Sequence, residues 1–180
     1  MLGTIFDHGR FWFLRHGQTG ANAQDLIAGA TDVPLSDAGH EQARQVALRI
    51  AGLGPAALWV SPMIRTRQTA AAIQTLLPGL PLHLLPGIAE RNWGVWEGRP
   101  RAVLRRDLRP QGGEGPDEFR RRVLDGLASI APPHPVLIVA HSGTAREIFA
   151  RLGLPVERPA NCDLLEFGRE ANGHWIVTKR

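Results

Sequence analysis

The stretch Phe11-Trp12-Phe13-Leu14, followed directly by Arg15-His16-Gly17, decides how this chain folds. Four consecutive apolar residues before a glycine turn are typical of a short strand that is buried on both faces of a sheet. In open α/β sheets, ligands bind where such strands end, at their carboxyl edge. A cationic side chain and an imidazole stand at that point, so the sequence predicts an anion-binding site there.

The same pattern occurs twice more along the chain. Val136–Ala140 is a second apolar run and leads into His141-Ser142-Gly143. Ala57–Val60 is a third and leads into Ser61-Pro62, with Arg65 one helical turn later. Because the carboxyl ends of parallel strands share one edge of a sheet, we expect two histidines and two arginines to meet there.

Apolar residues recur at helical spacing between these strands. One stripe follows Ser36, a suitable N-cap, and another follows Pro62, which suits the first position of a helix. Two further stripes begin at Asp117 and Ala145. The remaining predicted elements are a short strand at Leu82–Leu85 and a hairpin of Asp163–Phe167 and His174–Thr178 around Asn172-Gly173.

This alternation of strands and helices predicts an α/β fold. We expect a three-layer sandwich, with a mostly parallel central sheet, an antiparallel edge and helices on both faces. No composition shift marks a domain boundary, so residues 1–180 are expected to form a single domain. The Pro/Gly-rich segment Arg109–Pro116 is predicted to be a loop between helices.

Composition restricts the classes of function. No run of residues approaches the roughly 18 apolar residues of a membrane span, and Met1–Gly9 lacks the order of a signal peptide. The single cysteine, Cys162, excludes an internal disulfide and fits a reducing compartment. The net charge of +4 is spread along the chain rather than collected in a tail. We therefore expect a cytoplasmic protein without a membrane or nucleic-acid partner.

His16 is the candidate nucleophile. A neutral imidazole can attack a phosphoryl group in line and form a phosphohistidine, which divides one difficult displacement into two easier ones. The transferred group keeps negative charge on its equatorial oxygens, so it needs fixed cations around it. Arg15 and Arg65 can supply planar guanidinium donors, and His141 can supply a further hydrogen bond.

Neutral donors are predicted to complete the phosphate site. Asn22 and Thr19 are candidates, as are the backbone amides near Gly17 and Gly143. Gly29 and Ser142 are also assigned to substrate binding.

The leaving oxygen needs a proton, for which Glu90 is the candidate donor. It follows a short strand and lies near Trp93 and Trp96 in sequence, in surroundings that suit a general acid. The same carboxylate can then activate water. Glu97 is the rival acid.

The ordered motifs resemble the histidine phosphatase superfamily, in its phosphoglycerate mutase-like branch. The resemblance rests on Arg15-His16-Gly17-Gln18-Thr19 with Asn22, on Ser61-Pro62 with Arg65, on Glu90, on Gly112-Gly113-Glu114 and on His141-Ser142-Gly143. It implies an α/β sandwich, a phosphohistidine at His16, a phosphate pocket of Arg15, Arg65 and His141, and proton donation by Glu90. It also implies no metal ion and no nucleotide cofactor, and the seven histidines include no close pair with metal-ligand spacing.

The resemblance favours a phosphatase over a mutase. Mutases of the family carry a long insertion between the acid and the Gly-Gly-Glu motif, and the segment from Arg91 to Gly112 is too short for it. The polar Ser142 and Thr144 depart from the usual second-histidine motif. The expected activity is metal-independent hydrolysis of a small phosphorylated metabolite, and the alternatives are mutase-type phosphoryl transfer and a non-catalytic phosphate-binding module.

The identity of the substrate stays open. An α-ribazole phosphate, fructose 2,6-bisphosphate, a sugar phosphate and 3-phosphoglycerate all fit the resemblance. Arg101, Arg105 and Arg109 are spaced to share one helical face, where they either select a second anionic group or form a solvated surface. A homodimer is compatible with the sequence.

Overall fold

The computed structural model describes residues 4–180, so the first three residues of the chain lie outside the described part. Its centre is one six-stranded sheet in the order β3-β2-β4-β1-β5-β6. Strands β1 to β4 are parallel to one another, whereas β5 is antiparallel to both β1 and β6. The strands are β1 (Arg10–Arg15), β2 (Ala57–Val60), β3 (Leu82–Leu84), β4 (Val136–Ala140), β5 (Leu164–Arg169) and β6 (Trp175–Lys179).

Two layers of helices cover this sheet, which confirms the predicted three-layer α/β sandwich. None of the helices within residues 4–180 is long and apolar enough to cross a membrane. The helices are α1 (Gly20–Ala23), α2 (Asp37–Ala51), α3 (Ile64–Leu76), α4 (Pro116–Ala128) and α5 (Ser142–Arg151).

The central strand β1 is apolar on both faces because each face packs against one helical layer. Phe11 and Phe13 pack with the buried residues of α4 and α5. Trp12 and Leu14, which alternate with them along the strand, pack with the buried residues of α2 and α3. Successive side chains of a strand point to opposite faces, so the four apolar residues in a row contribute to two separate cores.

The register of the parallel strands brings three loops to one edge of the sheet. Arg15 pairs with Ala140, and the His16 amide donates to the Ala140 carbonyl at 3.1 Å. The Ser61 amide likewise donates to the Val139 carbonyl at 3.0 Å. The residues that follow β1, β2 and β4 are therefore neighbours in space.

Three local expectations are wrong. Helix α3 begins at Ile64, with Met63 as its N-cap, so Pro62 lies before the helix and not at its first position. Strand β3 ends at Leu84, one residue earlier than predicted. Arg101 begins a three-residue 3-10 helix that ends at Val103, so the continuous helical face expected over Arg101–Arg109 does not form.

Glycines at 17 and 39 permit the loop after β1 to contact the first turn of α2. A Cβ atom at Gly17 would lie 2.5 Å from the Gly39 carbonyl oxygen, and one at Gly39 would overlap the Gln18 carbonyl. Backbone packs directly against backbone at this point, so neither side can yield by changing a rotamer.

We predict that Gly39→Ala lowers the free energy of unfolding by about 1–3 kcal/mol, because the added methyl group forces the backbone apart. Gly79→Ala is the matched control, since Gly79 is exposed and a Cβ there meets no atom within 4 Å. Urea denaturation measures the free energy of unfolding of both variants and of the wild type. Equal stability of the two variants would contradict the close contact.

Candidate active site

A pocket opens at the carboxyl edge of the sheet, where the loops after β1, β2 and β4 meet. Its wall includes His16, Asn22, Glu90 and Ser142, together with Trp93. Six arginines also line it: Arg15, Arg65, Arg101, Arg106, Arg146 and Arg158. Glu90 is the only carboxylate in this wall among the described residues, so the pocket is strongly cationic.

His16 is held in one tautomer at the base of this pocket. Its side chain is 5% exposed, and Nδ1 lies 2.7 Å from the Gly17 carbonyl oxygen. A carbonyl oxygen can only accept, so Nδ1 carries the hydrogen and Nε2 of the neutral ring keeps a free lone pair. Burial, with the nearby charges of Arg65 and Arg15, holds the pKa of His16 well below its ordinary value. The imidazole is therefore uncharged near neutral pH.

Arg15 and Arg65 are buried cations without carboxylate partners. Arg15 is 4% exposed and donates through Nη1 to the Pro159 carbonyl at 2.8 Å. Arg65 is 1% exposed and donates to the carbonyls of Thr31 and Gly29 at 3.0 and 2.7 Å. Within residues 4–180 neither forms an ion pair, and the Nε atom of each is buried and unpaired.

Burial dominates the electrostatics of these two guanidiniums. It lowers the pKa of Arg15 to about 10, with a further lowering by Arg158, and it also lowers the pKa of Arg65. Both pKa values indicate positive charge held in a poorly solvated place. An anion bound between the two side chains would relieve that cost.

His141 lies beside His16, as the β1–β4 register requires. The ring centroids are 5.2 Å apart, and the His141 side chain is fully buried. Its Nε2 atom is 2.7 Å from the Ser61 hydroxyl oxygen, whereas its Nδ1 is buried and unpaired. Burial and the neighbouring cations, Arg65 first, hold the pKa of His141 well below its ordinary value. His141 is thus adjacent to His16 but behind the pocket surface.

Glu90 is fixed by two backbone amides. Arg91 N donates to Oε1 at 2.9 Å, and Gly143 N in the first turn of α5 donates to Oε2 at 3.1 Å. The absence of a Cβ at Gly143 leaves room for this carboxylate, which an added methyl group would overlap. The acid predicted from sequence therefore stands in the pocket wall, in a defined orientation.

Asn22 presents its amide NH₂ group to the pocket. Its Oδ1 atom accepts from Thr19 N at 3.2 Å and from Asn161 Nδ2 at 3.1 Å, so the oxygen side of the amide is occupied. Asn161 also donates to the His16 carbonyl at 3.0 Å. Asn161, which no sequence motif identified, thus positions both Asn22 and the His16 backbone.

Three residues predicted to bind phosphate lie outside the pocket wall: His141, described above, Thr19 and Gly17. Thr19 is fully buried and its hydroxyl accepts from Asn22 N, so it caps α1. The Gly17 amide donates to the Thr69 hydroxyl at 3.1 Å and is therefore occupied. The Gly17 carbonyl orients His16 instead. Sequence motifs do not show which donors the fold has already used.

The other two predicted positions do line the pocket. Ser142, at the first position of α5, is half-buried there. Gly29 contributes backbone: it adopts a φ of 56°, a conformation that favours glycine, and its carbonyl accepts from Arg65.

Glu97, the rival acid, is held by three backbone amides. Its carboxylate accepts from the amides of Ala30, Thr31 and Trp93 at 2.7–2.9 Å. These bonds support the Gly29 segment of the wall, and the Glu97 side chain itself does not line the pocket.

The chain is similar to known proteins over most of its length. A family model described as the histidine phosphatase superfamily (branch 1) matches residues 11–178. The adenosylcobalamin/alpha-ribazole phosphatase of Escherichia coli (strain K12) is 30% identical over 166 residues, covering 82% of this chain and 81% of the relative. The glucosyl-3-phosphoglycerate phosphatase of Mycolicibacterium vanbaalenii is 31% identical over 191 residues, covering 93% and 82%.

A solved structure described as mycobacterial hydrolase 1 superposes with a TM-score of 0.78 at 25% identity, over 94% of this chain and 96% of that one. The chain belongs to the histidine phosphatase superfamily, and it is a phosphatase of that family.

The depressed pKa values of His16 and His141 predict how stability depends on pH. Below about pH 6.5 the unfolded chain binds protons at these histidines and the folded chain does not, so stability falls as the pH is lowered. We expect a loss of about 1 kcal/mol per histidine between pH 6.5 and 5.5.

Urea denaturation at these two pH values tests this. His16→Gln should remove about half of the combined contribution, whereas the exposed His174→Gln should leave the pH dependence unchanged. A His16→Gln protein with the same pH dependence as the wild type would show that His16 titrates normally.

Proposed function

We propose that this protein is a metal-independent phosphomonoesterase that hydrolyses a small phosphorylated metabolite through a phosphohistidine at His16. One observation carries the proposal. The His16 ring is neutral, is fixed by Gly17 with Nε2 free, and lines a pocket beside two buried arginines that form no ion pair within residues 4–180. A nucleophile among uncompensated cations is the arrangement that phosphoryl transfer to nitrogen requires.

In the first step, the lone pair of His16 Nε2 attacks phosphorus and the bond to the leaving oxygen breaks. Arg15 and Arg65 stabilise the charge on the equatorial oxygens, and Asn22 adds a neutral donor. Glu90, in its protonated form, gives its proton to the leaving oxygen, so the product leaves as a neutral alcohol.

In the second step, the Glu90 carboxylate takes a proton from water as the water oxygen attacks the phosphohistidine. The P–N bond breaks, inorganic phosphate forms and His16 returns to its neutral state with Nδ1 still bonded to Gly17. His141, fixed by Ser61, is a positioning residue for the imidazole beside it.

His16→Ala should lower kcat for p-nitrophenyl phosphate by at least about a thousandfold, because removal of a covalent nucleophile removes the whole two-step route. His174→Ala, at an exposed histidine of the C-terminal hairpin, is the control. Rapid-quench mass spectrometry of the wild type should detect an acid-labile phosphoryl group on His16, with turnover maintained in excess EDTA.

Near-wild-type turnover by His16→Ala would exclude the proposed nucleophile. Isomerisation of 3-phosphoglycerate, in the presence of a trace of the bisphosphate, that outpaces phosphate release would replace hydrolysis by mutase activity. Phosphate binding without any labelled histidine would indicate a non-catalytic module.

Glu90→Gln should slow phosphorylation of the enzyme far more for an alkyl phosphate than for p-nitrophenyl phosphate. Nitrophenolate is a good leaving group without a proton, whereas an alkoxide must be protonated as it leaves. The rate of enzyme phosphorylation should therefore fall by about 10²–10⁴-fold for the alkyl substrate only. The pre-steady-state burst isolates this step from the second one. Equal losses for both substrates would mean that Glu90 does not protonate the leaving group. The exposed Glu157→Gln serves as the control.

A further inference from the structure

Three arginines at the mouth of the pocket remain without a role in the proposed reaction. Arg106, Arg146 and Arg158, the outer arginine cluster, line the same cavity as His16. They come from three separate segments: the loop before α4, helix α5 and the segment before β5. In the part of the chain that the structure describes, none of them forms an ion pair with a carboxylate.

Two other arginines of the pocket region, unlike the outer arginine cluster, do have a carboxylate partner. Arg101 lies 3.7 Å from Asp25, and Arg109 is paired with Glu118. Arg105 does not line the pocket. Of the three arginines identified from spacing, only Arg101 lines the pocket.

Buried contacts hold two of these segments in place. Arg91, 4% exposed, donates to the carbonyl of Arg106 itself at 2.7 Å and to the Leu108 carbonyl at 2.6 Å. Its guanidinium stacks 4.0 Å above the Trp93 ring. Arg15 donates to the carbonyl of Pro159, the residue after Arg158. The buried arginines thus fix the backbone at two positions from which exposed arginines extend over the pocket.

The charges of the cluster repel one another. Burial lowers the pKa of Arg106, and the charges of Arg146 and Arg158 lower it further. Arg158 similarly lowers the pKa of Arg101 and of Arg15, after burial. Glu90 offsets part of this charge, but it is the only carboxylate in the pocket wall among the described residues. The converging like charges therefore create a local positive potential, which concentrates anions there.

We infer that the outer arginine cluster binds a second anionic group of the substrate, separate from the phosphoryl group that reaches His16. The substrate is then a phosphomonoester that also carries a phosphate or a carboxylate, both of which present the oxygen pairs that guanidinium groups bind. This inference rests on the proposed function for the placement of the first phosphoryl group.

Calorimetric titration with non-hydrolysable phosphonates tests the inference without requiring turnover. The wild-type protein is titrated with alkane bisphosphonates of two to six carbons, with the matching ω-carboxyalkylphosphonates and with the alkyl monophosphonates. At one chain length, a doubly anionic compound should bind at least about tenfold more tightly than its monophosphonate, the effect of one charge-assisted interaction. The better of the two doubly anionic series identifies the second group as phosphate or carboxylate.

Substitutions show which arginines cause the higher affinity for the doubly anionic compound. The affinity ratio between the doubly anionic compound and its monophosphonate should fall to about threefold or less in each of the variants Arg106→Gln, Arg146→Gln and Arg158→Gln. Arg121→Gln removes the same charge from the exposed side of α4 and should leave this ratio unchanged. Circular dichroism confirms that the variants fold. No preference at any chain length, or a preference that survives all three substitutions together, would overturn the second subsite.

Turnover of p-nitrophenyl phosphate by the wild type, measured in parallel, separates the two proposals. If the protein turns over substrate but binds no doubly anionic compound more tightly at any chain length, only the second subsite is contradicted. A preference without turnover contradicts the catalytic proposal and leaves the subsite standing.

Discussion

The parallel pairing of β1 with β4 determines where the two histidines at the edge of the sheet lie. Arg15 stands opposite Ala140, so the next residue of each strand is a histidine and the two rings lie 5.2 Å apart. A shift of this register by one residue would exchange the two faces of β1 and separate the histidines. The apolar residues that bury β1 on both faces therefore also fix the geometry of the chemistry at its end.

The same edge of the sheet holds six arginines in the pocket wall but, among the described residues, only one carboxylate, Glu90. Burial of an ion costs several kcal/mol even after relaxation. Arg15 and Arg65 offset part of this cost by donating to backbone carbonyls, which are fixed dipoles and not counterions. Carbonyl partners orient a guanidinium while they leave its net charge available to a ligand. A carboxylate partner would hold it equally well but would compete with the phosphoryl group.

Much of this arrangement follows from local sequence. The strands β2 and β4 have the predicted bounds because uninterrupted apolar runs end at polar residues, and the edge positions of His16, Arg15, Arg65 and His141 follow from topology. Glu90 was identified because it follows a short strand near tryptophans, and it does line the pocket.

What the sequence could not reveal depends on contacts between distant segments. Thr19 and the Gly17 amide are good donors by type, but the fold satisfies them internally. Arg158 and Asn161 reach the site only because β5 returns beside β1, with the Cys162 amide bonded to the Arg15 carbonyl. The helical spacing of Arg101–Arg109 was misleading because the segment contains only one short 3-10 turn.

The central claim is that the buried cations at the sheet edge are completed by a bound phosphate. The most direct measurement is the free energy of unfolding as a function of inorganic phosphate concentration, at constant ionic strength with chloride as the replacement. We expect the free energy of unfolding to rise by about 1.4 kcal/mol for each tenfold increase in phosphate above its dissociation constant, and Arg65→Gln to abolish this rise. A wild-type stability that does not respond to phosphate, or a response that Arg65→Gln retains in full, would contradict it.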